Sequence, residues 1–170
     1  MSAVLSREDI YELLEREPPL IEGFIALEEQ MQPNGFDLTL RDVALLETPG
    51  RIAVTNSQRI VSRQSPLVFD GLGFTDLVPG AYMITYNEIV HLPNDIMALG
   101  RPRSSLLRCG VNVGTAVWDA GYSGRSQSLL VVYHPQGFRL QKNARIIQLI
   151  FMKLTGATEG YRGIYQGENI

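Results

Sequence analysis

The residues best able to act chemically on a substrate fall in two short stretches and a glycine-rich C-terminal segment. Gly100-Arg101-Pro102-Arg103-Ser104-Ser105-Leu106-Leu107-Arg108 places three guanidinium groups and two hydroxyls within nine residues. Arginine forks and short hydroxyls suit anionic oxygens, phosphates above all. The same segment also reads as a solvated turn entering a helix capped by Ser104 or Ser105. The two readings coexist, because a capped helix start presents free N–H groups to an anion. The second stretch, Gly114-Thr115-Ala116-Val117-Trp118-Asp119-Ala120-Gly121-Tyr122-Ser123-Gly124, sets one carboxylate and two aromatics inside a glycine-bounded hairpin. Asp119 there can act as a general base on water, or bond its own backbone as turn aspartates commonly do. Trp118 and Tyr122 read as packing or as ring platforms. Cys109 has no histidine near it in sequence, and His91 and His134 sit at turns, so none of the three marks a nucleophile or a metal cluster.

Holding those groups in place requires a core, and 170 residues at 45% hydrophobic and 19% charged suffice for one ordinary domain. Fifteen basic against eighteen acidic residues give a formal charge of -3. No global positive field is therefore available for a nucleic-acid polymer, and any phosphate must be met locally. A single cysteine excludes a disulfide scaffold and fits a reducing compartment. No apolar run of about 18 residues reads as a membrane span, and the N-terminus lacks the basic-then-apolar order of a secretory signal. A cytoplasmic location with no membrane partner is expected.

The elements that position the site are read mainly as strands. Ser6 caps a short N-terminal helix, with Asp9 as a variant capping box and Ile10, Leu13 and Leu14 on one face; Pro18 and Pro19 stop it. A second helical turn is read around residues 26–30, and a strand-like alternation follows in Phe36, Leu38 and Leu40. From there short apolar runs separated by turn residues predict strands at 51–55, 59–61, 81–85, 96–99, 111–113, 128–133 and 144–154. Such spacing argues for a sandwich, barrel or jelly roll. Residues 156–170 carry little apolar material and read as a mobile tail after a single domain over 1–155.

Taken in order, Asn34-Gly35-Phe36-Asp37-Leu38, Arg103-Ser104-Ser105-Leu106, Asp119-Ala120-Gly121-Tyr122-Ser123-Gly124, Ala144-Arg145-Ile146-Ile147-Gln148-Leu149 and the Gly/Tyr/Gln tail resemble the dUTPase and dCTP deaminase superfamily. The opening Leu5-Ser6-Arg7-Glu8-Asp9-Ile10 is similar to the dCTP deaminase-like branch, which includes archaeal dUTPases. The resemblance implies a distorted antiparallel β-barrel or jelly roll, a homotrimer with interfacial sites, and a tail that closes over bound nucleotide. By the same resemblance Arg103, Ser104 and Ser105 bind the triphosphate, and Gln148 holds the α-phosphate. Asp119 orients the attacking water, and Tyr122 packs beneath the deoxyribose, leaving no room for a 2′-hydroxyl. Asp37 has a partly structural role and an indirect, water-mediated contact to Mg²⁺, which is otherwise held by the substrate phosphates. Arg108, Thr115, Arg162, Tyr165 and Gln166 complete the implied substrate contacts, with Arg162 replacing the lysine that relatives carry before the Tyr-Gln pair.

Two chemistries divide the superfamily: hydrolysis of dUTP to dUMP and diphosphate, and deamination of dCTP. Deaminases carry a glutamate about ten residues past the hairpin aspartate to move protons for water attack on the ring. Counting from Asp119 gives Leu129, and counting back from the strand's end gives Val131. Neither can move a proton, so hydrolysis of dUTP with Mg²⁺ is the expected activity. dCTP deamination, alone or alongside it, and a nucleotide-binding β protein without catalysis are the alternatives.

Overall fold

The computed structural model describes residues 4–170, so the domain span expected over 1–155 begins outside the described residues. In chain order the elements are α1 (Arg7–Leu14), β1 (Ile21–Glu22), α2 (Leu27–Gln30), β2 (Met31–Gln32), β3 (Gly35–Leu46), a 3-10 turn (Asn56–Gln58), β4 (Gln64–Pro66), β5 (Phe74–Leu77) and β6 (Gly80–Tyr86). They continue with β7 (Ile89–His91), β8 (Ile96–Pro102), α3 (Ser104–Arg108), β9 (Val111–Gly114), β10 (Val117–Trp118), β11 (Ser123–Gly124), β12 (Gln127–Val132), β13 (Phe138–Gln141) and β14 (Arg145–Lys153).

The mainly β, antiparallel architecture expected from the strand spacing is present. The large sheet runs β10-β8-β14-β3-β6-β12-β9, with β2 and β4 also paired to β3, and curls into a half-barrel. A smaller sheet runs β1-β7-β11, and β13 pairs β5. Phe36, Leu38, Leu40, Ile84, Ile147, Leu149 and Phe151 are all fully buried and form the heart of the core. The N-terminal helix begins as expected: Asp9 N–H donates to Ser6 Oγ at 3.2 Å, and Ser6 N–H donates to Asp9 Oδ2 at 2.8 Å. Ile10 and Leu13 face the core.

Two local expectations change. The runs at 51–55 and 59–61 are not strands but an exposed arm, joined by one bridge between Arg51 and Ile60 and turned by the 3-10 segment. No further strand covers either side of it, so Ile52 and Val54 stay 82% and 104% exposed. Neither Ser104 nor Ser105 caps α3. Arg103 is the N-cap, without a side-chain cap bond, and the helix is only five residues long. The segment after Gly156 lies docked on the domain in this structure. Polar groups tether it where apolar ones are lacking: Thr158 N–H bonds Asn94 O at 2.8 Å, Tyr161 N–H bonds Ala120 O at 2.8 Å, and Gly167 N–H bonds Ser123 O at 2.8 Å.

Candidate functional site

Strand pairing builds a cleft at the hairpin. β9 pairs β12 from Val111–Val132 to Gly114–Leu129, and there the ladder ends. Beyond it β10 turns to pair β8 through Val117–Leu99 and Trp118–Ala98, while β11 pairs β7 through Ser123–His91 and Gly124–Val90. The two arms therefore diverge, and the inner edge of β12 at Gln127 and Ser128 is left without a strand neighbour. A cleft of about 740 Å³ occupies this divergence. Its walls are the hairpin, the arm that carries Arg51 and Ile60, and the tail residues Tyr161, Tyr165 and Glu168.

Asp119 stands at the exposed end of β10 and lines this cleft. Its backbone carbonyl accepts from Tyr122 N–H at 3.1 Å, which forms the turn. Its carboxylate has no hydrogen-bond partner among the described residues and is open to a water. Trp118 is 5% exposed and donates from Nε1 to Ser126 Oγ at 2.9 Å, bracing the diverging arms across their gap. Tyr122 is equally buried; its hydroxyl donates to Glu168 Oε1 at 2.8 Å, and its ring meets Tyr161 edge-on at 5.8 Å. Burial and the neighbouring carboxylate push the Tyr122 phenol well above its ordinary range, and burial likewise raises Glu168. Leu129, one of the two positions counted for a deaminase acid, lines the cleft as an apolar side chain. Val131 is not in its lining. Among the described residues, Ser128 Oγ in the cleft wall, like Tyr86 OH, is a buried polar atom with no hydrogen-bond partner.

The anion-binding candidates lie elsewhere on the chain. None of Arg103, Ser104, Ser105, Arg108 and Gln148 lines the cleft. β14 carries Gln148 opposite both Asp37 on β3 and Arg101 on β8, which gathers the first, second and fourth sequence motifs at one place. Asp37, 2% exposed, receives the Arg103 guanidinium, with Arg145 at 3.5 Å. Burial raises the Asp37 carboxyl more than the two arginines lower it. Ser104, Ser105 and Arg108 are exposed, with side chains that make no hydrogen bond or ion pair among the described residues. Thr115 Oγ1 donates to Gly100 O at 3.1 Å, joining the cleft hairpin to β8.

The tail residues divide. Tyr165 lines the cleft. Gln166 spans the hairpin turn, accepting from Ser123 N–H at 3.0 Å and donating to Gly121 O at 3.0 Å. Arg162 is paired with Glu159 at 3.2 Å, both well exposed, and is not in the cleft. Sequence reasoning missed Glu168 and Arg51 as cleft residues, because one lies within an unpatterned tail and the other opens a run read as a strand. It also missed Glu88, which is wholly buried. His91 is structural, as read, bridging Ser123 Oγ at 2.7 Å and Glu22 Oε1 at 2.8 Å. Among the described residues no three His, Cys, Asp or Glu side chains cluster to hold a metal, and no helix is long and apolar enough to cross a membrane.

Comparison with known proteins bears on the whole chain. A family profile described as dCTP deaminase-like matches residues 4–154. A probable deoxyuridine 5′-triphosphate nucleotidohydrolase of Methanosarcina mazei is 49% identical over 168 residues, covering 98% of each chain. One of Archaeoglobus fulgidus is 50% identical over 168 residues, covering 99% of this chain and 98% of its own. Among solved structures, the 2′-deoxycytidine 5′-triphosphate deaminase from Agrobacterium tumefaciens superposes with a TM-score of 0.66 at 21% identity. That match covers 89% of this chain, which spans about half (49%) of the deaminase chain. The EIAV dUTPase superposes at 0.53 and 15% identity, over 85% of this chain and 95% of its own. At those identities the two structures speak to the fold alone.

Proposed function

The chain belongs to the dCTP deaminase-like family, and we propose that within it the protein is a dUTP diphosphatase, hydrolysing dUTP to dUMP and diphosphate. The observation that carries this reading is the cleft itself: one open carboxylate, Asp119, beside a buried aromatic wall, with apolar Leu129 where a deaminase needs an acid. Relatives named as dUTP nucleotidohydrolases over nearly the full length point the same way.

In this mechanism the pyrimidine enters between the diverging hairpin arms, where unpaired strand edges present backbone donors and acceptors to its rim. The Tyr122 ring packs beneath the deoxyribose. Asp119 orients a water on the α-phosphorus and takes its proton as the new P–O bond forms. The bond from the α-phosphorus to the bridging oxygen breaks, and diphosphate leaves with that electron pair. Arg103, Ser104, Ser105, Arg108 and Gln148 bind the phosphate oxygens, with charge-assisted bonds that strengthen as charge moves to the leaving group. Asp37 does not fit a metal ligand, since its buried carboxylate is taken by Arg103 and Arg145. It is read instead as the residue that aims Arg103. No protein carboxylate cluster is needed for Mg²⁺, which would be held by the triphosphate and would neutralise its charge.

The phosphate-binding set and the cleft lie apart in one chain, so a complete site is proposed to form between subunits of a homotrimer, and the exposed apolar arm with Ile52 and Val54 offers surface for such an assembly. Residues 156–170 are read as the segment that closes over the nucleotide held by the domain before them.

Purified protein given dUTP and Mg²⁺ should release diphosphate. Ammonia release from dCTP in its place would overturn the assignment. Asp119→Asn should retain binding of a non-hydrolysable dUTP analogue while turnover falls on the order of a hundredfold or more. Turnover at the wild-type level would remove Asp119 from water activation.

A further inference from the structure

We propose that Glu168, together with Tyr161, fixes the Tyr122 ring from the chain's own C-terminal tail and thereby sets the discrimination between 2′-deoxy and 2′-hydroxy nucleotides. This rests on the reading of the cleft as a dUTP site and adds to it a specificity-determining residue that does not touch the base or the phosphates.

The Tyr122 ring is held on three sides. The Glu168 carboxylate accepts from its hydroxyl at 2.8 Å, and Tyr161 meets it edge-on with ring planes at 72°. On the third side lies Gly124, where a Cβ would come within 2.6 Å of the Tyr122 oxygen and 2.9 Å of Cζ. Two of these supports come from the tail. A ring that only fills space can swing aside about χ1; one tied at its hydroxyl is held at the far end of that swing.

The tail is itself anchored to the link between β11 and β12. Arg125 N–H donates to Glu168 O at 2.9 Å, and Arg125 Nε donates to Asn169 O at 3.1 Å. Asn169 Nδ2 returns a bond to Arg125 O at 2.9 Å. The Arg125 guanidinium also bonds Asn87 O, tying this clasp to the turn between β6 and β7. Glu168 is therefore built into position. An apolar wall alone rejects an added hydroxyl by only about a hundredfold, and that rejection depends on the wall not yielding. A wall free to retreat gives up much of it.

The test is the ratio of kcat/KM for dUTP to that for UTP, measured on the full chain as wild type, Glu168→Ala and Glu168→Gln. Dissociation constants of the non-hydrolysable dUTP and UTP analogues supply the same ratio without turnover. The expected result is a ratio reduced roughly tenfold in Glu168→Ala, by a gain for UTP relative to dUTP, and near the wild-type value in Glu168→Gln, whose carbonyl oxygen still accepts from Tyr122. A loss shared equally by both nucleotides, or an unchanged ratio in Glu168→Ala, overturns the proposal. Wild-type protein that neither hydrolyses nor binds dUTP fails the functional reading itself, and is distinguished by the wild-type measurements alone.

Discussion

At the scale of residues, the buried polar groups divide into those that work on substrate and those that hold the molecule together. Glu88 belongs to the second kind. Its carboxylate accepts from Gln30 Nε2 at 2.7 Å, Thr39 Oγ1 at 2.6 Å and Thr39 N–H at 2.8 Å. Burial nevertheless raises it above the ordinary 4.5, the hydrogen bonds only partly opposing. The native state thus holds this proton more tightly than the unfolded chain. Its contribution to stability is complete below 4.5 and is lost as pH rises through the native value. Glu88→Gln must turn an NH₂ toward at least one of those donors, at a cost of about 1–3 kcal/mol. In urea melts between pH 4 and 8, the deficit of the variant should shrink as pH rises, because only the wild type loses the titrating contribution; a deficit that grows with pH would contradict this. Asp119 and Tyr122 were legible in the sequence because a carboxylate and a ring inside a glycine-bounded turn carry their chemistry locally. Glu88 and Glu168 were not, since each gains its role from partners dozens of residues away, Thr39 and Tyr122 respectively.

At the scale of elements, spacing identified the antiparallel strands and the capped N-terminal helix but not what covers them. The alternation in Phe36, Leu38 and Leu40 reads as a strand with one wet face. In the fold Asp37 and Thr39 on the other face are 2% exposed as well. Arg103, Arg145 and Glu88 supply the partners that make burying that face tolerable. The arm failed as a strand prediction for the opposite reason: beyond the single Arg51–Ile60 bridge, its β-prone residues pair with no strand among the described residues. The tail shows how polar contacts replace apolar ones. Gly121, at φ +81°, lies so close that an added Cβ would come within 2.9 Å of Tyr161 N and 2.6 Å of Asn94 Oδ1. Gly121→Ala combines left-handed strain of about 1–2 kcal/mol with that collision. It should release residues 158–170, seen as faster amide exchange and earlier proteolytic clipping of the tail while the sheet stays protected. An equally protected tail would show that the close approach is not needed for docking.

At the scale of the whole molecule, a net charge of -3 coexists with a local cationic place: Arg101 on β8 sits opposite Gln148 on β14, and Arg103 reaches Asp37 on the neighbouring β3. The gathering of Asp37, Arg101 and Gln148 was legible only as motif order; strand register made it spatial. If sites form between subunits, two inactive variants can repair one another. Refolding Asp119→Asn with Ser105→Ala in equal amounts should restore roughly a quarter of the wild-type turnover, the fraction of interfaces joining two intact halves in a random symmetric assembly. No recovery, with trimers present by light scattering, would put the whole site within one chain.

The place of β14 carries a consequence for how the molecule comes into being. It pairs β3 through Leu149–Phe36 and β8 through Phe151–Ala98, filling the middle of the large sheet with residues more than a hundred positions beyond its first partner. On the ribosome, β3 and β8 emerge with facing edges open and stay so until residues 145–153 arrive. Contacts of such sequence separation close slowly, and unpaired apolar edges invite association with other nascent chains. The central sheet is therefore completed only once residues 145–153 have been made, so the vulnerable interval of this protein is its birth, and slower translation lengthens that interval.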